Sequence, residues 1–329
     1  MSFTDLAFDA VVHRGKHLST VLASLFAQIR PDEAEATNIR NELYGRVRAI
    51  GMPSFMRERI ERAYGLAVTE AIVTSCMRDA PVFIRPNTLR ATVADVQRAV
   101  PGSMLRTDFG FDALEVPEPY GLFRTQAFLD GLFEQQDLAS QRVSHTLQLR
   151  PGLRVVDACA GAGGKALHMA ALMNNTGRII ALDVSEEKLN TLKKRAARAG
   201  VSIIDTRPIT STKIIKRLAD TADRVLLDVP CSGTGVLRRN PDIMVHMTET
   251  ALAELQEIQA DILRRNARSV KSGGLVCYAN CSILPEEGRL QIDRFLQESG
   301  NTFTLVEEWQ TLPHEIDCDG FYVAILQRS

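Results

Sequence analysis

The sequence predicts an α/β protein built on a Rossmann-like, mostly parallel, seven-stranded sheet, preceded by a helical N-terminal unit and a small α+β connector domain. Three observations carry this expectation. After Pro151-Gly152 the chain repeats a strand, turn and helix rhythm, the signature of parallel βαβ units. The first such strand runs into Asp157-Ala158-Cys159-Ala160-Gly161-Ala162-Gly163-Gly164-Lys165, where glycines let the backbone approach a ligand before a helix begins. The second strand, Ile180-Ala181-Leu182-Asp183, ends in an acid, about 20 residues after the turn, where a carboxylate can accept ribose hydroxyls.

The elements follow in order. From about Phe3 to Cys76 apolar residues recur at three- and four-residue steps (Val21, Leu22, Leu25, Ile29), broken at Pro31 and Gly51-Met52-Pro53, which predicts a helical unit over 1–80. A short strand over Pro81–Leu89, a helix from Thr92 to Val100 and a turn-rich stretch through Gly102, Gly110, Pro117, Pro119 and Gly121 predict the connector, 81–140. Within 141–329, strands are expected at Arg154–Cys159, Arg178–Val184, Val201–Arg207, Arg224–Val229 and Gly274–Cys281, with Phe303–Trp309 and Phe321–Gln327 closing the sheet. There is no internal repeat, low-complexity tract or long charge run.

With 329 residues and 45% hydrophobic composition the chain has material for a sizeable core. A net charge of -1, from 39 basic and 40 acidic residues, means that any nucleic-acid partner is held by local basic patches and not by a global field. The six cysteines (Cys76, Cys159, Cys231, Cys277, Cys281, Cys318) lack metal-site spacing and resemble no secreted disulfide framework. Reduced thiols and a cytoplasmic location are expected. The acidic start, Met1-Ser2-Phe3-Thr4-Asp5, is unlike a signal peptide, and no run is long enough to span a bilayer.

Chemistry concentrates at three strand ends. Asp228 follows Val225-Leu226-Leu227 and so sits at the carboxyl end of a strand, where open α/β sheets place their ligands. Pro230 stops the ladder and Gly233 and Gly235 permit a sharp loop, which directs Cys231 toward the same crevice. Cys281 ends Leu275-Val276-Cys277-Tyr278-Ala279-Asn280 in a similar way. Cys76, Cys159 and Cys277 read instead as small buried hydrophobes. The turn lacks the Gly-x-x-x-x-Gly-Lys-Ser/Thr pattern, so an adenosine-type cofactor is expected rather than a triphosphate. Such a cofactor, two thiols and a carboxylate meet the needs of methylation at carbon 5 of a pyrimidine, a carbon that is not nucleophilic until a thiolate adds to carbon 6.

These residues together resemble the Sun-type RNA cytosine-5 methyltransferases, the family of the bacterial Fmu and RsmB enzymes, from Phe83 onward. Arg85-Pro86-Asn87-Thr88-Leu89, Gln136-Asp137-Leu138-Ala139-Ser140 and Asp319-Gly320-Phe321-Tyr322 add to the likeness. The resemblance implies a class I S-adenosylmethionine-dependent methyltransferase. It further implies that Cys281 is the nucleophile, that Cys231 helps release the product, and that Asp228 contacts the base; the chemistry then expects Asp228, held protonated, to donate to ring nitrogen 3. The turn residues Ala160, Gly161, Ala162, Gly163, Gly164 and Lys165, with Asp183, Asp205 and Asp228, would hold the cofactor. Two positions depart from the family pattern: Ala162 stands for a proline and Asn280 for the threonine before the nucleophile.

RNA contacts are expected at Arg85, Asn87, Arg238 and Arg239, with Arg90 as a further phosphate contact. Lys193, Lys194 and Arg195 read equally as a solvated helix face. The expected substrate is a cytidine in structured RNA, ribosomal RNA ahead of transfer RNA, with a monomer sufficing. Two rivals stay open: a class I methyltransferase acting on a protein or small molecule, which leaves the paired thiols without a purpose, and a non-catalytic RNA-binding or ribosome-assembly factor.

Overall fold

Strands of the main sheet alternate their side chains between two buried faces, which is why they read as unbroken apolar runs. Val155, Ile179, Ala181, Leu226, Cys277, Ala279 and Val323 enter one core, while Val156, Ile180, Leu182, Val225, Val276, Tyr278 and Ala324 enter the other. The computed structural model describes residues 2–119 and 121–329.

Four short strands, β1 (Phe83–Pro86), β2 (Met104–Arg106), β3 (Ala113–Glu115) and β4 (Phe133–Gln135), form an antiparallel connector sheet in the order β2-β3-β1-β4. Only the first was expected, since three-residue strands among glycines and prolines carry no readable period. The main sheet contains β5 (Arg154–Asp157), β6 (Arg178–Asp183), β7 (Ile204–Pro208), β8 (Ala222–Asp228), β9 (Val270–Asn280), β10 (Phe303–Thr311) and β11 (Phe321–Arg328). Its order is β10-β11-β9-β8-β5-β6-β7. Pairing is parallel from β7 through β9 and antiparallel for β11 against β9 and β10. This is the Rossmann-like methyltransferase sheet that the sequence predicts, with boundaries moved by a few residues. Strand order reverses between β5 and β8, and the crevice beyond their carboxyl ends is where such sheets bind ligands.

Five helices lead the chain: Phe3–Val12, Leu18–Ile29, Glu33–Arg48, Ser54–Tyr64 and Leu66–Cys76. The first three bury Val11, Leu18, Leu22, Leu43 and Val47 among themselves. The last two pack Met56, Ile60 and Ile72 against Leu237, Ile283 and Leu284, residues just beyond the Cys231 and Cys281 loops. Helical structure therefore buttresses those loops from outside the sheet. No helix among the described residues is long and apolar enough to cross a membrane.

The connector is locked to the helix Glu186–Ala199 through Glu134, which is 3% exposed and pairs with both Arg195 and Arg198. Removing one partner of a buried ionic cluster leaves the other charges uncompensated. Glu134→Ala is expected to destabilise the protein by about 2–4 kcal/mol, read as a lower urea midpoint.

Candidate active site

The turn after β5 is built for close approach. Gly161 and Gly163 have φ of +52° and +88°, and a Cβ on Gly163 would stand 2.0 Å from Leu192, so only glycine fits there. Ala160 donates its N–H to Leu182 O at 2.8 Å, tying the turn to β6. Asp183 then grips both turns: Gly161 N–H donates to one carboxylate oxygen and Ser185 N–H to the other, each at 2.8 Å. Cys159, Gly161, Asp183, Val184, Ile209, Asp228 and Pro230 line a cavity of about 530 Å³, within the size range of small-molecule sites. Ala162, Gly163 and Gly164 follow in the same turn and lead into the helix Gly164–Leu172.

Lys165 opens the following helix and reaches back to Asp228, Nζ to Oδ2 2.7 Å, above the ring of Phe321. Burial alone would pull its pKa down, but Asp228, with lesser contributions from Cys281 and Asp157, more than offsets this and holds the ammonium above its ordinary value. The Lys165 and Asp228 side chains are therefore held together as one pair at the strand end.

Cys231 and Cys281 converge as the strand ends require. Their sulfurs lie 3.3 Å apart, beyond the roughly 2.0 Å of a disulfide, and both thiols are free and partly accessible. The contact with Cys281, then burial, then the charge of Glu287 hold the Cys231 thiol well above its ordinary pKa. Backbone contacts fix the approach: Gly235 N–H donates to Cys281 O at 2.9 Å and Gly320 N–H to Gly235 O at 2.8 Å. A Cβ on Gly235 would collide with Gly320 O at 2.0 Å.

Beneath the thiols lies a buried polar network. Glu287, fully buried, accepts from Ser232 N–H and Gln259 Nε2, each at 2.8 Å, and from the Ser232 hydroxyl. Asn280 donates to Glu287 O at 2.7 Å and accepts Ser282 N–H at 2.9 Å. The asparagine that departs from the family pattern thus shapes the Cys281 loop.

Five expected site residues make polar contacts within the protein. Asp205 sits within β7, level with Ile180 and three residues short of the strand end, roughly 10 Å back from the crevice, and pairs with Arg178 and Arg207. Ile209, just past β7, lines the cavity instead. The four expected RNA contacts are committed to internal partners. Arg85 donates to Gln136 at 2.5 Å and Gly164 O at 3.1 Å, and burial lowers its pKa to about 9. Asn87 donates to Gly131 O and Ala199 O. Arg238, 2% exposed, pairs with Asp317, and Arg239 bridges Asp137 and Asp319. Arg90, Lys193 and Lys194 are exposed.

The site also contains an acid that in the sequence is simply the end of a strand. Asp157 is 1% exposed and neither carboxylate oxygen has a hydrogen-bond partner. Burial first, then the charge of Asp228, push its carboxyl up to about 7. An orphaned carboxylate behind a ligand turn fits a ligand that brings donors and positive charge, as the ammonium and sulfonium of S-adenosylmethionine do. Its sequence signal was an acid closing the apolar run Val155-Val156.

The sheet, the glycine turn and Asp183 define a class I S-adenosylmethionine-dependent methyltransferase. Residues 144–327 match the family model for 16S rRNA methyltransferase RsmB/F. The chain is 33% identical to ribosomal RNA small subunit methyltransferase B of Serratia proteamaculans, over 83% of this chain and 66% of that protein. It is 29% identical to the probable enzyme of that name from Synechocystis, over 95% of this chain and 75% of the relative. A methyltransferase homolog from Pyrococcus horikoshii shares the fold, with a TM-score of 0.75 and 24% identity over 85% of this chain and 97% of that one. The chain belongs to the RsmB/F family of 16S rRNA methyltransferases. These matches span about two thirds to three quarters of the two curated relatives' length.

Asp157 has a pH signature. Its folded pKa of about 7 lies above the ordinary 3.8, so the folded state binds the proton more tightly, and stability is lost as pH rises from 4 toward 7. In the cofactor-free protein Asp157→Asn is expected to raise stability at pH 8 by ~2–4 kcal/mol, with the gain vanishing near pH 4. The same change is expected to weaken S-adenosylmethionine binding by calorimetry.

Proposed function

We propose that the protein methylates carbon 5 of a cytidine in structured RNA, ribosomal RNA first, through a covalent bond between Cys281 and carbon 6 of the base. The observation that carries this reading is the 3.3 Å approach of two free thiols on strand ends flanking the cofactor crevice. A methyltransferase acting on oxygen or nitrogen has no use for such a pair.

The target base must leave its stack to reach the thiols, at a cost of a few kcal/mol that an existing loop reduces. The Cys281 thiolate then adds to carbon 6, forming the S–C6 bond and shifting the C5=C6 electron pair through the ring. Lys165 stabilises the negative charge that develops on the ring, and Asp228 orients both Lys165 and the base. Carbon 5 is now enamine-like. S-adenosylmethionine, when bound, supplies an electrophilic methyl group. With Cys281 bonded to carbon 6, Cys231 can lose its proton to solvent and, as thiolate, take the carbon-5 proton; the C5=C6 bond re-forms, S–C6 breaks, and Cys281 leaves as thiolate. One copy of the chain carries every group named here, so we read the enzyme as a monomer. Its thiol chemistry requires a reducing compartment such as cytoplasm.

Support comes from family membership and from the convergence of the two thiols with the Lys165–Asp228 pair at one end of the sheet. Bisulfite sequencing of ribosomal and transfer RNA from deletion cells, complemented with wild type or with Cys281→Ala, tests the reading. One cytidine is expected to regain protection with wild type alone. A transfer-RNA cytidine would redirect the substrate, and restoration by Cys281→Ala would overturn the mechanism. In vitro, Cys231→Ala is expected to lower turnover by roughly a hundredfold and to accumulate a protein–RNA adduct on denaturing gels, whereas Cys281→Ala gives neither adduct nor product.

A further inference from the structure

We propose that Glu287 is a positioning residue that makes the two thiols unequal: its buried carboxylate braces the Cys231 loop while its backbone braces the Cys281 loop. The proposal rests on the reading of Cys281 as the attacking thiol and Cys231 as the releasing one.

Two thiols 3.3 Å apart cannot both lose their protons without strong like-charge repulsion. A pair in equivalent surroundings would divide one thiolate between two sulfurs, and half the enzyme would present the wrong nucleophile. Something must break the symmetry. On the Cys281 side stands the Lys165 ammonium, whose interaction with Cys281 is favourable when the sulfur is anionic. On the Cys231 side stands Glu287. It touches one neighbour of Cys231, accepting from the N–H and hydroxyl of Ser232, and reaches the other, Pro230, only through Gln259, which donates to Pro230 O at 2.9 Å.

Among the described residues Glu287 has no ion-pair partner: every donor to its carboxylate is a backbone N–H, a hydroxyl or an amide. Its carboxylate is therefore held by dipoles one residue along from Cys231, and it adds to the contact with Cys281 and to burial, the larger causes, in disfavouring a thiolate at Cys231. The carbonyl oxygen of the same residue accepts from Tyr278 and Asn280, each at 2.7 Å, and Asn280 in turn positions Ser282 beside Cys281. One residue thus spans both loops, and its charge lies on the side of the thiol that must keep its proton until release.

The test needs neither RNA nor cofactor. The full-length protein is treated with iodoacetamide at neutral pH and the peptides bearing Cys231 and Cys281 are quantified by mass spectrometry. In wild type, Cys281 is expected to react first. Glu287→Gln keeps the shape and removes the charge, so Cys231 labelling should rise about tenfold relative to Cys281, the change that one pKa unit makes in thiolate population. Ser232→Ala loosens the loop without altering charge and should leave the order of labelling as it is. An unchanged ratio in folded Glu287→Gln overturns the proposal, and so does an equal rise in Ser232→Ala, which would make Glu287 a mere tether. Should Glu287→Gln not fold, Glu287→Asp withdraws the charge by one methylene, and an unchanged ratio there overturns the proposal equally. With RNA, Glu287→Gln should slow adduct formation at Cys281, because part of the thiolate then resides on Cys231. Absence of any methylated cytidine would overturn the functional reading and leave the labelling result standing.

Discussion

The register between β8 and β9 is the constraint on which the site depends. Asp228 pairs with Ala279 in parallel, and Val229 N–H donates to Ala279 O at 2.9 Å. Each chain runs only two or three residues further before its cysteine, so the register places both sulfurs beyond the same sheet edge. A slip of two residues would keep every side chain on its proper face and still move one sulfur roughly 7 Å along the strand. Face alternation cannot prevent that slip. The Gly235 contacts to Cys281 O and Gly320 can, because they bond one loop to the other and both to the start of β11. The absence of a Cβ at Gly235 is what permits three backbones to meet there.

Around that edge the protein concentrates buried charge, and each charge has a different compensation. Lys165 is balanced by Asp228, and Asp157 is left without hydrogen-bond partners. Glu287 is balanced by dipoles alone. Leaving Asp157 unsatisfied costs the folded protein stability and is why its carboxyl holds a proton up to about pH 7.

The sheet and the three strand ends were legible because they are local facts: an apolar run, a proline, a glycine, and a cysteine or acid between them. The burial of Arg85, Asn87, Arg238 and Arg239 was not, because each is decided by partners far along the chain. Gln136 lies 51 residues beyond Arg85, Ala199 lies 112 beyond Asn87, and Asp319 lies 80 beyond Arg239. A short-range pattern registers the cation and is silent on the carboxylate that neutralises it. Asp205 misled for a different reason: its β7 strand was placed correctly, but an acid three residues before the strand end points to solvent arginines and not to the crevice. Glu287, in Pro285-Glu286-Glu287-Gly288, reads as an ordinary polar turn.

The fate of those arginines changes what the shared segments are for. Arg85 and Gln136 join the connector to the carbonyl of Gly164 in the cofactor turn. Arg239 joins Asp137 of the connector to Asp319 at the head of β11. Arg85, Asp137 and Asp319, the charged side chains of those segments, are therefore all engaged in internal contacts that tie the connector to the cofactor turn and to the head of β11. The segments carry the family likeness because they hold two domains in register around one crevice, a role that needs the same charges at the same places whatever lies outside.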